Sequence, residues 1–182
     1  MSPRFAVIDI EKANGNPASI CWVGIAYVNG DEIQTSSSLL NPEEPLDAFN
    51  AKMLGLTDED LKGQALFPQM LEVVGPRLYG CTVYGHGPDD FKAMSAACEK
   101  YEVTSPPWSW KNSQTLAKHA WPGQPGYGLK RMADFLDLDL TGHHDPAVDV
   151  RVTAQMILAA EREAGLDHSE IIGRAQRRVP GM

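Results

Sequence analysis

The chain has 182 residues, 43% hydrophobic and 22% charged, with a formal net charge of −8. That is one ordinary domain with material for a real core, and it excludes a protein that coats duplex DNA by bulk positive potential. It does not exclude an enzyme that holds nucleic acid through bound cations, because such ions reverse the local field.

No apolar run reaches the about 18 residues of a transmembrane helix, and no basic segment followed by an apolar stretch opens the chain. Three widely spaced cysteines, Cys21, Cys81 and Cys98, predict buried thiols in a reducing compartment, with no disulfide framework or zinc site. A cytoplasmic location without membrane contact is the expectation.

Residues 4–11, rich in branched apolar side chains, predict a core strand. Asn14-Gly15-Asn16-Pro17 is a loop. Residues 20–28 predict a second strand, and Asn29-Gly30 a tight turn into a third over about 31–40, which makes an antiparallel meander. Residues 41–56, with Asn41-Pro42 and Glu44-Pro45, predict an irregular excursion. Thr57 before Asp58-Glu59-Asp60 reads as a helix cap with acids in the first turn. Phe67, Met70, Leu71, Val74 and Leu78 carry helical spacing over 67–79.

A short strand at 81–85 precedes a helix from Pro88 to about Tyr101. Residues 104–112 predict a connection in which Trp108 and Trp110 serve core or lid packing. Helices follow near 113–120 and 128–136. A long one, capped by Asp145, runs from Pro146 to before Gly165, and a short one covers about 168–178. The basic run Gly173–Arg178 is either a solvated face or a backbone-phosphate contact. Strands first and helices later, interleaved by one strand, predict an α/β fold with helices packed on a mixed sheet in a single domain.

Asp9 and Glu11 share one face of the first strand with Phe5 and Val7. Either the acids emerge into water at the strand end, or a divalent cation offsets the cost of two like charges in a low-dielectric setting. Oxygen ligands suit magnesium or manganese. Asp90 and Asp149 lie in the first turns of the helices opened by Pro88 and Pro146. Helical side chains lean toward the N-terminus, so both carboxylates point at the preceding strand ends. Each alone would complement a helix dipole. Together with Asp9 and Glu11 they make a constellation able to hold two hard cations about 4 Å apart and activate water against a phosphodiester. His144, five residues before Asp149, is placed to take a proton from that water. Its neighbour His143 leaves a choice, and the spacing to Asp149 favours His144.

Asp9-Ile10-Glu11, the segment His86-Gly87-Pro88-Asp89-Asp90-Phe91-Lys92-Ala93-Met94, and His144-Asp145-Pro146-Ala147-Val148-Asp149 together resemble the three motifs of the DEDDh 3′–5′ exonucleases. That family includes the proofreading subunit of bacterial DNA polymerase III, ribonuclease T and exonuclease X. Leu40–Pro45, Gly55-Leu56-Thr57, Gln114–Ala117, Trp121-Pro122-Gly123 and Tyr127–Lys130 resemble its intervening segments, so the likeness spans roughly residues 4 to 162.

The resemblance implies a ribonuclease-H-like fold, a mixed five-stranded sheet flanked by helices. It places an exonuclease domain over residues 1–165, with 166–182 as an attached helix and tail. It implies Asp9, Glu11, Asp90 and Asp149 as ligands of two Mg²⁺ or Mn²⁺ ions, and His144 as general base. The expected substrate is a nucleic-acid 3′ end, single-stranded, whose last base would stack near Lys12-Ala13-Asn14 and the segment from Phe49 to Leu56. No motif specifies a homodimer or a polymerase or repair complex.

The chain departs from the family at Gly87, where Asn is common, at Asp89, where Phe is common, and at Leu54, where His is common. Asp89 is therefore an alternative ligand to Asp90, and the four-residue step to apolar Met94 favours Asp90. A non-catalytic relative that binds nucleic acid or protein is the alternative function. A phosphatase for small phosphoesters, which four acids alone would serve, fits the ordered motifs less well.

Overall fold

The computed structural model describes residues 3–176. The first three strands, β1 (Phe5–Lys12), β2 (Ile20–Asn29) and β3 (Glu32–Leu39), pair antiparallel in sequence order, with Asp9 opposite Gly24. This is the expected meander. Its turn falls one residue later than Asn29-Gly30: Asn29 still pairs with Glu32, so Gly30 and Asp31 make the bend, with Gly30 at φ 59°. Glycine enters that region without a Cβ clash.

Two short strands, β4 (Thr82–Gly85) and β5 (Ser109–Asn112), complete a five-stranded sheet in the order β3-β2-β1-β4-β5. β4 runs parallel to β1, and β5 parallel to β4. β5 corrects the expectation of a plain connection over 104–112. Its four residues, Ser109-Trp110-Lys111-Asn112, include no branched apolar side chain. It forms at the sheet edge because β4 offers it a partner.

The stretch 41–56 also contains a helix that was not expected, α1 (Ala48–Leu54). Asp47 caps it, accepting from the Asn50 N–H at 2.7 Å, and Gly55 ends it at φ 67°. α1 buries no residue, so it leaves no apolar periodicity to read. α2 (Asp58–Leu61) opens at Thr57 as expected; the Thr57 N–H and hydroxyl donate to the Asp60 carboxylate at 2.8 and 2.6 Å. α3 (Phe67–Val74) is shorter than expected, because Gly75-Pro76 tightens its continuation into a 3-10 turn at Gly75–Leu78. The remaining helices are α4 (Asp89–Lys100), with Pro88 as its cap instead of its first residue, α5 (Ser113–Ala120), α6 (Leu129–Leu136), α7 (Pro146–Ala164) and α8 (His168–Gln176). The basic run to Arg178 and the expected helix end there lie partly outside the described residues.

Alternation along β1 divides the core. Ala6, Ile8 and Ile10 pack with Phe67 and Met70 of α3 and with Ala93, Met94 and Ala97 of α4. Phe5 and Val7 pack with Val150, Ala154 and Ile157 of α7. Asp9 and Glu11 follow on the α7 side, where the apolar cover gives out. Trp108 is buried in the first layer, with Trp110 half-buried against it, and the three cysteines are buried free thiols. Among the described residues, no helix is long and apolar enough to cross a membrane.

Candidate active site

Because β1 and β4 are parallel, their C-terminal ends share one edge of the sheet, the position where α/β folds place their sites. Two glycines let the helices reach it. Gly24 lies opposite Asp9, and a Cβ there would stand 2.3 Å from the Pro146 carbonyl oxygen. The first turn of α7 therefore rests directly on β2 beside Asp9. Gly85 ends β4, and a Cβ there would stand 2.7 Å from Asp90 Oδ2. The Asp90 carboxylate fills that space, and its Oδ1 accepts from the Ile10 N–H at 3.1 Å, between the two acids of β1.

One carboxylate oxygen from each of Asp9, Glu11 and Asp149 falls within 4.8 Å of the others. Asp149 is 3% exposed. It accepts from the His144 N–H at 3.3 Å and faces His143 Nδ1 at 2.9 Å. Asp90 stands outside that trio, tied to Ile10, and its charge bears on Asp9. Asp89, the alternative ligand, points to solvent and pairs with Lys92 at 3.2 Å.

The electrostatics are unfavourable for bare carboxylates. Burial, and then the charges of Asp90, Glu11 and Asp149, hold Asp9 well above the usual carboxylate range. Burial, followed by Asp149 and Asp90, pushes Glu11 up to about 7. Burial also pushes Asp90 up to about 7, against the N–H groups of Ile10 and His86. Asp9 Oδ2 is buried without any hydrogen-bond partner. Hard oxygen donors, mutual repulsion and an unsatisfied lone pair are the conditions that a divalent cation relieves, so the residues fit one.

His144 sits at φ 77°, a left-handed conformation uncommon outside glycine. Its Nδ1 lies 3.7 Å from Glu11 Oε1. Burial, and then His143, hold its pKa below the ordinary histidine value, so the ring is neutral at neutral pH and able to accept a proton. The two histidines take different places: His144 faces Glu11 and His143 faces Asp149. No spacing rule pointed to the His143 contact; adjacency to His144 was the only signal.

His86, part of the second motif, is a buried tie and not a member of the acid group. Its Nδ1 lies 2.9 Å from Ser113 Oγ and its Nε2 2.9 Å from the Tyr127 carbonyl. Burial lowers its pKa to about 4, so the ring is neutral. Nε2 then carries the proton donated to Tyr127, and the one Ser113 hydroxyl proton is shared between Nδ1 and the Gly85 carbonyl at 3.0 Å. Beyond Glu11, the Ala13 carbonyl accepts from the Asp47 N–H at 2.9 Å, which fastens β1 to the start of α1. Phe49 on that helix is 74% exposed.

Sheet order defines a ribonuclease-H-like fold, and the acids gathered from β1 and α7 at one edge of its sheet are donors able to hold divalent cations. The chain belongs to the exonuclease family, whose profile matches residues 6–157. It is similar to the PolC-type DNA polymerase III of Caldanaerobacter subterraneus subsp. tengcongensis, 23% identical over 159 residues, covering 85% of this chain and 11% of that protein. It is also similar to the 3′-5′ exonuclease DinG of Bacillus subtilis, 24% identical over 160 residues, covering 85% of this chain and 17% of that protein. The chain thus spans less than a fifth of the length of these curated relatives. Among solved structures, a 3′-exonuclease recognising the 3′ end of a histone mRNA stem-loop shares the fold, with a TM-score of 0.77 and 20% identity over 92% of this chain and 85% of that one.

Proposed function

We propose that this chain is a 3′–5′ exonuclease that hydrolyses phosphodiester bonds at the 3′ end of single-stranded DNA or RNA and releases nucleoside 5′-monophosphates. The observation that carries the reading is the convergence of Asp9, Glu11 and Asp149, with Asp9 Oδ2 unpartnered, beside His144, whose Nδ1 lies 3.7 Å from Glu11 Oε1.

Asp9, Glu11, Asp90 and Asp149 would hold two Mg²⁺ or Mn²⁺ ions. When bound, such ions stabilise the charge that builds on the reacting phosphate and make water a better nucleophile. The protein's own residues do the rest. His144 takes the proton of the attacking water, and the Glu11 carboxylate 3.7 Å away steadies the imidazolium that results. The backbone N–H of His144 and the ring of His143 keep Asp149 aimed at the group. Phe49 and the chain after Glu11 offer the terminal base a stacking surface, which tolerates any sequence because every base has a π-face.

The test is a panel of 5′-labelled single-stranded DNA, duplex DNA and RNA with Mg²⁺ or Mn²⁺. The relatives' names span a DNA polymerase and a recogniser of an mRNA stem-loop, and sugar choice rests on contacts to the 2′ position. Stepwise shortening from the 3′ end is the expected result. Binding without shortening on every substrate would leave an interaction module in place of an enzyme.

A further inference from the structure

One stretch of the chain reverses the charge of the rest. Val103 to Ala133 contains no Asp or Glu and carries Lys111, Lys118, Lys130 and Arg131. All 24 acids, and 12 of the 16 Lys and Arg, lie outside it. The stretch includes β5, α5, the loop from Trp121 to Gly128 and the first turn of α6. Its four cations are exposed. Among the described residues, Lys111, Lys118 and Arg131 join no salt bridge. Lys130 pairs with Asp134 in a surface contact worth little.

Tyr127 ties this stretch to the second motif. Its carbonyl accepts from His86 Nε2 at 2.9 Å. Its hydroxyl donates to the Trp121 carbonyl at 2.9 Å and accepts from the Gln124 N–H at 3.2 Å. The loop is thereby closed on itself and fastened at the end of β4. Lys118 Nζ stands 5.8 Å from the centre of the Tyr127 ring. The Arg131 side chain lies along Gly126, where a Cβ would stand 3.4 Å from its Cδ. Two cations without carboxylate partners therefore flank one braced loop. Neighbouring groups continue from it to the acids: the charge of His143 bears on His86, and His143 faces Asp149 at 2.9 Å.

We infer that Lys118 and Arg131 form a phosphate-binding track for a single strand, engaging backbone phosphates on the 5′ side of the nucleotide being removed. A polyanion approaching a chain of net charge −8 is repelled least, and steered most, over the acid-free stretch. Exposed cations with no ion pair to break neutralise a phosphate at small cost. An acidic peptide would meet the same two charges. Only a strand whose 3′ end sits in the acid group would also be held there through divalent ions. The track therefore rests on the reading of that group as the seat of a 3′ end.

Fluorescence anisotropy of a 5′-labelled oligothymidylate, with Ca²⁺ in place of Mg²⁺, tests the track across a series of salt concentrations. The full chain is compared with Lys118→Ala/Arg131→Ala, the fold of each verified by circular dichroism. Each lost phosphate contact flattens the slope of log affinity against log salt by about 0.7 for a single strand, so the double variant should lose about 1.4. It should bind at least about tenfold more weakly at low salt. Lys118→Arg/Arg131→Lys keeps both charges and should restore the slope. Arg77→Ala removes an exposed cation before the start of β4, at the opposite end of the sheet, and should leave the slope as it is. An unchanged slope in the double variant, an equal flattening by Arg77→Ala, or a loss that no salt concentration alters overturns the track. A double variant that loses a poly-glutamate peptide yet holds the oligonucleotide as the wild type does gives the surface to an acidic protein and also overturns it. A wild type that shows the expected slope difference but never shortens a strand with Mg²⁺ keeps the track and loses the exonuclease reading. One that shortens strands while both proteins share one slope keeps that reading and loses the track.

Discussion

Gly24 of β2 and Pro146 of α7 meet so closely that a Cβ on Gly24 would stand 2.3 Å from the Pro146 carbonyl oxygen and 2.7 Å from its Cβ. The missing methyl group seats the helix that carries Asp149, and with it the turn that carries His144, directly across from Asp9. Gly24→Ala should lift that first turn. The expected outcome is a loss of about 1–3 kcal/mol in urea unfolding and roughly 10²-fold slower oligonucleotide shortening, since a displacement of about 1 Å at a reacting group costs that much. A variant unchanged in both would show that the contact does not seat the site.

The acid cluster makes stability depend on cations and pH together. Burial raises Glu11 from 4.5 to about 7 and Asp90 from 3.8 to about 7. Between the ordinary and raised values the folded chain holds protons that the unfolded chain has released, so in chelator stability falls as pH rises through that window. A divalent cation replaces those protons as countercharge. Thermal melts should therefore show a larger Mg²⁺-induced rise in Tm at about pH 8 than at about pH 5.5. Equal shifts at both pH values would mean that the cation does not meet these carboxylates.

Asp9→Asn separates stability from function. Asp9 carries the repulsion of Asp90, Glu11 and Asp149 in a buried position. Removing its charge should stabilise the chain in chelator by about 1–2 kcal/mol, measured by urea unfolding, while shortening of a labelled strand falls more than about 10²-fold. A variant less stable than the wild type in chelator would show that Asp9 is held by contacts the structure does not record.

His86 predicts a pH effect of the opposite sign. Burial lowers it from 6.5 to about 4, so as pH falls the unfolded chain takes up the proton first. Its contribution is whole above about 6.5 and is lost toward about 4. With the Ser113 and Tyr127 contacts gone, His86→Gln should cost about 1–3 kcal/mol at neutral pH and flatten the acid loss. Urea midpoints across pH, taken with Mg²⁺ present so that the carboxylates stay paired, measure it.

Local rules disclosed much of this molecule. Strand alternation put Asp9 and Glu11 on one face, and the Asp145-Pro146 cap located α7 and hence Asp149. What stayed hidden was set by partners distant in sequence. β5 is a strand only because β4 lies beside it, and α1 buries nothing, so its cap was its only signature. The seats at Gly24 and Gly85 exist because helices far along the chain land on them. The step to Met94 favours Asp90 over Asp89, but the bond from the Ile10 N–H that holds Asp90 required the position of β1 to be known. His143 carries no motif, and its ring meets Asp149 just before the left-handed turn at His144.

The central claim is that carboxylates from β1, α4 and α7 hold divalent cations in common. Electron paramagnetic resonance of Mn²⁺ titrated into the wild type and into Asp9→Asn, with circular dichroism to verify the fold of each, tests it most directly. The account predicts two bound ions in the wild type and the loss of at least one in the folded variant. The same stoichiometry and affinity in both proteins would contradict it.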